Sequence, residues 1–259
     1  MLETYRKRIA AAAKMGTQLV CLQEFTLSPY FASTRDQSGF DWAEPLEGGT
    51  THQFLGGLAH KHGMYIIGSI FEKDGDHHWD TATIYNPQGD LHAFTRKVHI
   101  PQGEGYHEDH FFQGDDRFPI HEVLGVKIAV PTCYDQWFPE MSRICALNGA
   151  DFIFYPTAIG SEPTNPRVDT RDAWQTVMRG QAIANGVFLA AANRVGVEGV
   201  RFYGSSFVCA PDGRFIAQAG RDRTETINAT LEPADRDEWR RLFPLLRQRR
   251  PETYRRIVE

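Results

Sequence analysis

The sequence predicts a layered α/β fold, and three observations carry that expectation. Helical and strand periodicities alternate along the chain, no low-complexity linker or internal repeat interrupts them, and 259 residues with 41% hydrophobic content can bury one large core. One domain spanning residues 1–259 is therefore expected.

Leu2, Tyr5, Ile9, Ala12 and Ala13 follow helical spacing, and Gly16 stands where a helix C-terminal glycine belongs. "QLVCLQE" then reads as a buried strand. "HQFLGGLAHKHG" reads as a helix, and "MYIIGSIFE" as a strand. In "WDTATIYNPQGDLHAFTRK" two strands are joined by the turn residues Asn86 to Asp90. After the strand "VKIAV" comes Cys133, and then a helix opened by Pro139 and closed by Gly149. "DFIFYPTA" is the next strand. Asp172 to Asn185 fits a long helix, "VFLAAAN" a strand, and "SSFVCAPDGRFIAQAG" a hairpin-like pair turning at Asp212 and Gly213.

Composition excludes several classes. A formal net charge of -5 and a pI near 6.1 give neither a basic footprint for nucleic acid nor a polybasic membrane patch. The longest apolar runs, such as "GVFLAAAN", are too short to span a bilayer, and "MLETYRKRIAAAAK" lacks the apolar core of a signal peptide. A cytoplasmic protein with no membrane or nucleic-acid partner is the expectation. Four scattered cysteines, Cys21, Cys133, Cys145 and Cys209, form neither a disulfide framework nor a metal-binding pattern, so reduced thiols are expected.

Cys133 stands apart because Tyr134, Asp135, Gln136 and Trp137 follow it directly, where a structural cysteine would have aliphatic neighbours. It ends an apolar strand just before a helix, and the positive end of the helix macrodipole favours a thiolate. A nucleophile also needs a base. All ten histidines lie at or before His121, and none sits in a motif with Cys133. Glu24, at the end of "LVCLQE", is the other candidate, because a carboxylate at a buried strand end has its pKa raised by desolvation and can take a thiol proton. Lys97, after a further apolar strand, could donate to an oxyanion. In isolation each has a plainer reading: a buried hydrophobe, a salt-bridged glutamate and a surface lysine.

Taken together, "QEF", "RKVHIPQGEGYHE" and "CYDQWFPE" resemble, in order and spacing, the three catalytic blocks of the nitrilase superfamily of carbon-nitrogen hydrolases. The resemblance reaches from the first helix to "RRPETY". It implies a four-layer αββα sandwich and a catalytic Glu24, Lys97 and Cys133, with Glu108 orienting Lys97 and the Tyr134 backbone N–H sharing the oxyanion. It also implies turnover without a cofactor or metal. "SPYF", "YPTAIGSEP", "RDAWQTVMRGQAIAN" and "AANRVG" are similar to segments of N-carbamoylputrescine amidases. By that likeness Tyr30, Trp137 and Glu162 line a pocket for a small ureido or amide substrate, Glu162 meeting a distal ammonium. The implied reaction is hydrolysis of N-carbamoylputrescine to putrescine, carbon dioxide and ammonia in polyamine biosynthesis. The alternatives are a beta-ureidopropionase or N-carbamoyl-amino-acid amidohydrolase, and a catalytically impaired binding or interaction protein.

Two departures accompany the resemblance. Gln102 stands where relatives carry Asp, with Glu104 a possible replacement. The sequence also opens at Met1 within the first helix, where relatives begin with a strand, so a truncated chain or misassigned start with an exposed sheet edge is expected. A rival zinc site from "HEDH" and His77-His78 fits no common spacing. Members of the superfamily assemble as homodimers or larger homo-oligomers, and the arginine-rich tail 232–259 reads either as packing on a neighbouring subunit or as an amphipathic helix folding back on its own.

Overall fold

Two β-sheets pack face to face in the computed structural model, which describes residues 2–259. Helix α1 (Leu2–Lys14) leads into the three-residue strand β1 (Leu19–Cys21). Helix α2 (Thr50–His62) ends on Gly63 in the left-handed conformation and feeds β2 (Tyr65–Asp74), β3 (His77–Tyr85) and β4 (Leu91–Arg96). These strands form one sheet in the order β1-β2-β3-β4, with β1 parallel to β2 and the others antiparallel.

The second sheet begins with β5 (His121–Val123) and β6 (Val126–Ala129), followed by helix α3 (Pro139–Leu147) and β7 (Phe152–Thr157). Helix α4 (Arg171–Asn185) precedes β8 (Phe188–Asn193), and a side hairpin of β9 (Val195–Glu198) and β10 (Val200–Tyr203) precedes β11 (Phe207–Cys209) and β12 (Phe215–Gln218). Its order is β12-β11-β8-β7-β6-β5, with β6, β7 and β8 parallel.

Strand alternation sorts the core into layers. In β2, Ile66 packs with Ile9, Leu55 and Leu58 of α1 and α2, while Ile67 turns the other way to meet Ile128, Phe152 and Phe188 of the second sheet. In the second sheet Phe152 and Phe188 fill the seam, and Ile153 and Leu189 pack with Met141, Cys145, Trp174 and Met178 of α3 and α4. This is the expected αββα sandwich. Glu24, Lys97 and Cys133 come shortly after β1, β4 and β6.

Several elements differ from the sequence expectation. "QLVCLQE" pairs only over Leu19–Cys21, because the chain must leave the ladder to turn Glu24 inward, although Leu22 N–H still donates to Ile67 O at 2.9 Å. Among the described residues β1 is the edge strand of its sheet and pairs with β2. β5 and the β9–β10 hairpin had no clear sequence signal, being short and half exposed. The tail contains helix α5 (Pro233–Leu242), which lies against its own subunit: Trp239 Nε1 donates to Ile183 O at 3.1 Å, and Arg240 donates to Gly186 O and Ala150 O. Leu242, Phe243, Ile257 and Val258 stay exposed. No helix among the described residues is long and apolar enough to cross a membrane.

Adjacent glycines in α2 offer a test of this packing. A Cβ on Gly56 would run into the carbonyl oxygen of Gly89, whereas one on Gly57 would meet nothing within 4 Å. Alanine is the better helix former, so Gly57→Ala should stabilise by about 0.5–1 kcal/mol. Gly56→Ala should instead destabilise by about 1–3 kcal/mol through overpacking. Urea unfolding of the two variants checks the sign of each change.

Candidate active site

Glu24 reaches the site through a sharp backbone turn. Phe25, the next residue, has a φ of 47°, an uncommon conformation for a large side chain. Local bonds hold it there: Phe25 N–H donates to Ser69 Oγ at 3.1 Å, and Thr26 N–H to Ser69 O at 2.9 Å. The buried Arg194 guanidinium, just past β8, donates to the carbonyls of Glu24, Phe25 and Ser28 and also pairs with Glu198. A residue of the second sheet thus fixes the loop carrying the acid of the first.

Lys97 follows β4, and its N–H donates to Asp80 O at 2.9 Å. The side chain is fully buried. Its Nζ lies 2.9 Å from Glu24 Oε1, 2.5 Å from Glu108 Oε2 and 3.1 Å from Asp80 Oδ2. Glu108 begins a 3-10 turn, Glu108–His110, and its other oxygen accepts from the Tyr30 hydroxyl at 3.0 Å. Three carboxyls therefore surround one ammonium, which takes the place a metal cation would occupy among them.

Cys133 opens a 3-10 turn, Cys133–Trp137, with a φ of 35°. Buried polar side chains lock this turn. Gln136 Nε2 donates to Cys133 O at 2.8 Å and to Thr157 Oγ1 at 3.0 Å, while Trp174 Nε1 donates to Gln136 Oε1. Asp135 accepts from Thr132 N–H and from His99 N–H, tying the turn to the segment after Lys97. The thiol sulfur itself accepts from Ala158 N–H, just after β7, at 3.4 Å.

The electrostatics correct the helix-dipole expectation. Burial first, and then the nearby charge of Glu24, push the Cys133 thiol well above its ordinary value, opposed by Lys97 and aided further by Glu108. That direction favours a resting thiol over a thiolate, so attack by the sulfur calls for a base. Burial likewise raises Glu24, aided by Asp80 and Glu108 and opposed by Lys97. Burial also raises Glu108. For Lys97 burial works downward, but Glu108, Glu24 and Asp80 together outweigh it and keep the ammonium charged. A carboxylate whose proton affinity is raised by burial is a stronger base toward the thiol than an exposed one would be.

The remaining sequence candidates are placed as follows. Tyr134, second in the Cys133 turn, carries an N–H at a helix start, where donors lack intrahelical acceptors. Trp137 is half-buried against the core. Tyr30 is buried, and its hydroxyl donates to Glu108 Oε1 at 3.0 Å. Glu162 stands half-buried on the loop after β7, near Tyr106, whose hydroxyl donates to Ser161 O at 2.9 Å. Burial, then the charges of Glu162 and Cys133, raise the Tyr106 hydroxyl. Gln102 and Glu104 are exposed, and Glu104 pairs with His107 at 3.8 Å. No histidine is among the groups acting on Cys133, and "HEDH" is split, with Glu108 turned in to Lys97 and His110 bonded to Gln37.

Sequence reasoning missed Asp80 and Arg194. Strand alternation puts Asp80 on the same face of β3 as Ala82 and Ile84, which fill the seam, so an acid at that position was the available signal. Arg194 had none beyond its place after a buried strand.

Comparison with known proteins adds an independent line. A family profile described as carbon-nitrogen hydrolase matches residues 1–241. The chain is 36% identical over 263 residues to a protein named citrullinase from Francisella tularensis subsp. tularensis, covering 99% of this chain and 92% of that one. It is 37% identical over 266 residues to an N-carbamoylputrescine amidase of Solanum lycopersicum, covering 98% and 88%. The crystal structure of a carbon-nitrogen hydrolase from Helicobacter pylori G27 superposes with a TM-score of 0.92 at 35% identity, covering 99% and 92%.

The state of the thiol is directly measurable. Thiolate ultraviolet absorbance that distinguishes the wild-type protein from Cys133→Ala should be absent at neutral pH and appear only above 9.0, the ordinary thiol value. A thiolate signal already present at neutral pH would contradict the dominance of burial.

Proposed function

The chain belongs to the carbon-nitrogen hydrolase family, and on that premise we propose that it hydrolyses N-carbamoyl amines, N-carbamoylputrescine first among them, by the cysteine chemistry of Glu24, Lys97 and Cys133. It is an amidohydrolase with the nitrilase fold; the named substrate and residue roles are the proposal. The observation that carries it is the Cys133 sulfur, held by Ala158 N–H beside a buried Glu24–Lys97–Glu108 cluster.

In this reading Glu24 takes the thiol proton as Cys133 attacks the carbamoyl carbon. Lys97 and the Tyr134 N–H hold the oxyanion, a contribution worth about 3–4 kcal/mol per donor in comparable sites. Glu24 returns the proton to the amine nitrogen as the C–N bond breaks, leaving a carbamoyl group on sulfur. Water then attacks that group with Glu24 again as base, releasing carbamic acid, which decomposes to carbon dioxide and ammonia. Glu108, itself fixed by Tyr30, keeps Lys97 in place.

Support for an amine substrate comes from Glu162, half-buried near Tyr106, since a primary ammonium leaving water gains a charged hydrogen bond from a carboxylate. Such a reaction belongs to polyamine biosynthesis in the cytoplasm. A ureido amino acid is the second reading, favoured by the equally extensive match to the protein named citrullinase. We further propose a homodimer or larger homo-oligomer, in which a neighbour covers Leu242 and Phe243 of the tail.

Cys133→Ala should abolish ammonia release while leaving the circular dichroism unchanged, and Glu24→Gln and Lys97→Ala should each lower kcat by at least about 100-fold. Retained turnover in Cys133→Ala would sink the mechanism. No ammonia from any ureido compound with wild-type protein would favour a binding role.

Substrate choice is tested by comparing kcat/KM for N-carbamoylputrescine, N-carbamoyl-β-alanine and citrulline. The amine should be preferred, and Glu162→Gln should cost it about 10- to 100-fold while sparing the carboxylate substrates. A wild-type preference for citrulline would overturn the amine assignment and leave the hydrolase chemistry standing.

A further inference from the structure

Asp80 is the one member of the Lys97 cluster that the proposed reaction does not use. Its backbone sits in β3, hydrogen-bonded through its carbonyl to Lys97 N–H, and its side chain is fully buried. Asp80 Oδ1 accepts from Ser69 Oγ at 3.2 Å. Asp80 Oδ2 lies 3.1 Å from Lys97 Nζ without the geometry of a hydrogen bond, and Glu24 Oε2 also has no hydrogen-bond donor. Both orphaned oxygens are in the same pocket: carboxylate oxygens of Glu24, Asp80 and Glu108 lie within 4.8 Å of one another.

The charge count makes this arrangement unstable as drawn. With all three acids ionised and Lys97 protonated, a site closed to water would carry two net negative charges. Like charges at this spacing do not stay ionised together, and the outcome in such dyads is a shared proton. Glu108 is the least suited to hold it, since one of its oxygens accepts from Lys97 and the other from Tyr30. Glu24 and Asp80 are the pair with free oxygens, and each would serve as a hydrogen-bond partner for the other once one of them is protonated.

We propose that Asp80 is a positioning residue for the base: one proton stays on the Glu24–Asp80 pair through turnover, so the pair meets the Cys133 thiol with a single negative charge. The inference rests on Glu24 being the base. As the S–H bond breaks, its proton passes to the pair and its electrons form the sulfur–carbon bond. The pair then holds two protons. One leaves with the amine nitrogen as the C–N bond breaks, and the pair returns to its starting state. The same exchange serves the water of the second half-reaction. Asp80 is thereby a silent partner that keeps Glu24 from being either overcharged or idle.

The groups facing Asp80 come from every element around it. Ser69 of β2 is neutral, Lys97 after β4 is cationic, and Glu24 after β1 and Glu108 of the 3-10 turn are acids. Cys133 and Tyr30 are sensed through Glu24 and Glu108. On the opposite face of the sheet Glu72 is neutralised by Arg96 and bonded to Thr81, which removes it as a competing acid.

The test is the pH dependence of kcat/KM for ammonia release in wild type and Asp80→Asn. The amide is isosteric and offers Glu24 a fixed N–H donor in place of the stronger O–H donor of the protonated pair, while the single negative charge remains on Glu24. The Glu24 carboxylate thereby loses its stronger donor, so the acid limb should move to higher pH by about one unit or more, with the plateau within about tenfold of wild type, whereas a shift to lower pH would mean that Asp80 is ionised in the wild type and would overturn the shared proton. An acid limb superimposable on the wild type, or a uniform loss of rate with no shift, would assign Asp80 a purely structural role and overturn the proposal. Infrared spectroscopy supplies a readout independent of turnover. Wild-type protein at neutral pH should show the C=O band of a buried protonated carboxyl, lost in Asp80→Asn. If that variant does not fold, absence of the band from the wild type alone suffices to reject the shared proton. Turnover surviving in Glu24→Gln would instead remove the base assignment, a different failure from a missing band in an enzyme that still depends on Glu24.

Discussion

The burial of one lysine ammonium organises this molecule. Taking Lys97 out of water costs several kcal/mol unless it is paired and hydrogen-bonded, and the chain supplies three carboxyls from three separate segments. Each must therefore arrive within a few tenths of an ångström of its place. That demand explains the local strain nearby. Phe25 adopts a positive φ so that Glu24 turns in, and the edge strand before it ends after three residues for the same reason.

The sulfur side of the site answers to a different constraint. Cys133 also has a positive φ, and what holds it is a chain of buried amides and hydroxyls: Gln136 spans Cys133 O, Thr157 and Trp174, and Gln181 donates to Gln136 O at 2.7 Å. Satisfied networks of this kind fix one geometry, because any member left unpaired in the interior would be costly. The α4 helix therefore contributes to the site through its buried polar side chains, Trp174 and Gln181, without supplying a reacting group. Burial favours the protonated thiol, so in the proposed mechanism the sulfur depends on a neighbouring base.

The sequence displayed the regular parts of this fold and little of the irregular ones. Gly16 and Gly149 follow helix ends as expected, and the turn between β3 and β4 fell at Asn86 to Asp90, because these signals are local. Glu24, Lys97 and Cys133 were legible as acids, amines and thiols that follow apolar strands, and the structure brings them together. The partners that decide their behaviour were not legible. Arg194 lies 170 residues from the carbonyl it holds, and Tyr30 reaches Glu108 across 78 residues. Such contacts depend on how the two sheets dock, and spacing along the chain does not encode it. The thiol's state failed for a related reason: the dipole of a short turn is a local feature, whereas desolvation is set by everything packed around it.

The division of the site between layers has a consequence for the newly made chain. Glu24, Asp80 and Lys97 belong to the first sheet, whereas Cys133 and its Ala158 donor belong to the second, with Arg194 crossing the seam to grip the Glu24 loop. Neither half has a function alone. A polypeptide that has folded one layer presents a lone thiol or a lone acid cluster, and no combination able to cleave an amide. In the proposed mechanism, catalytic competence therefore arises only once the two sheets have docked.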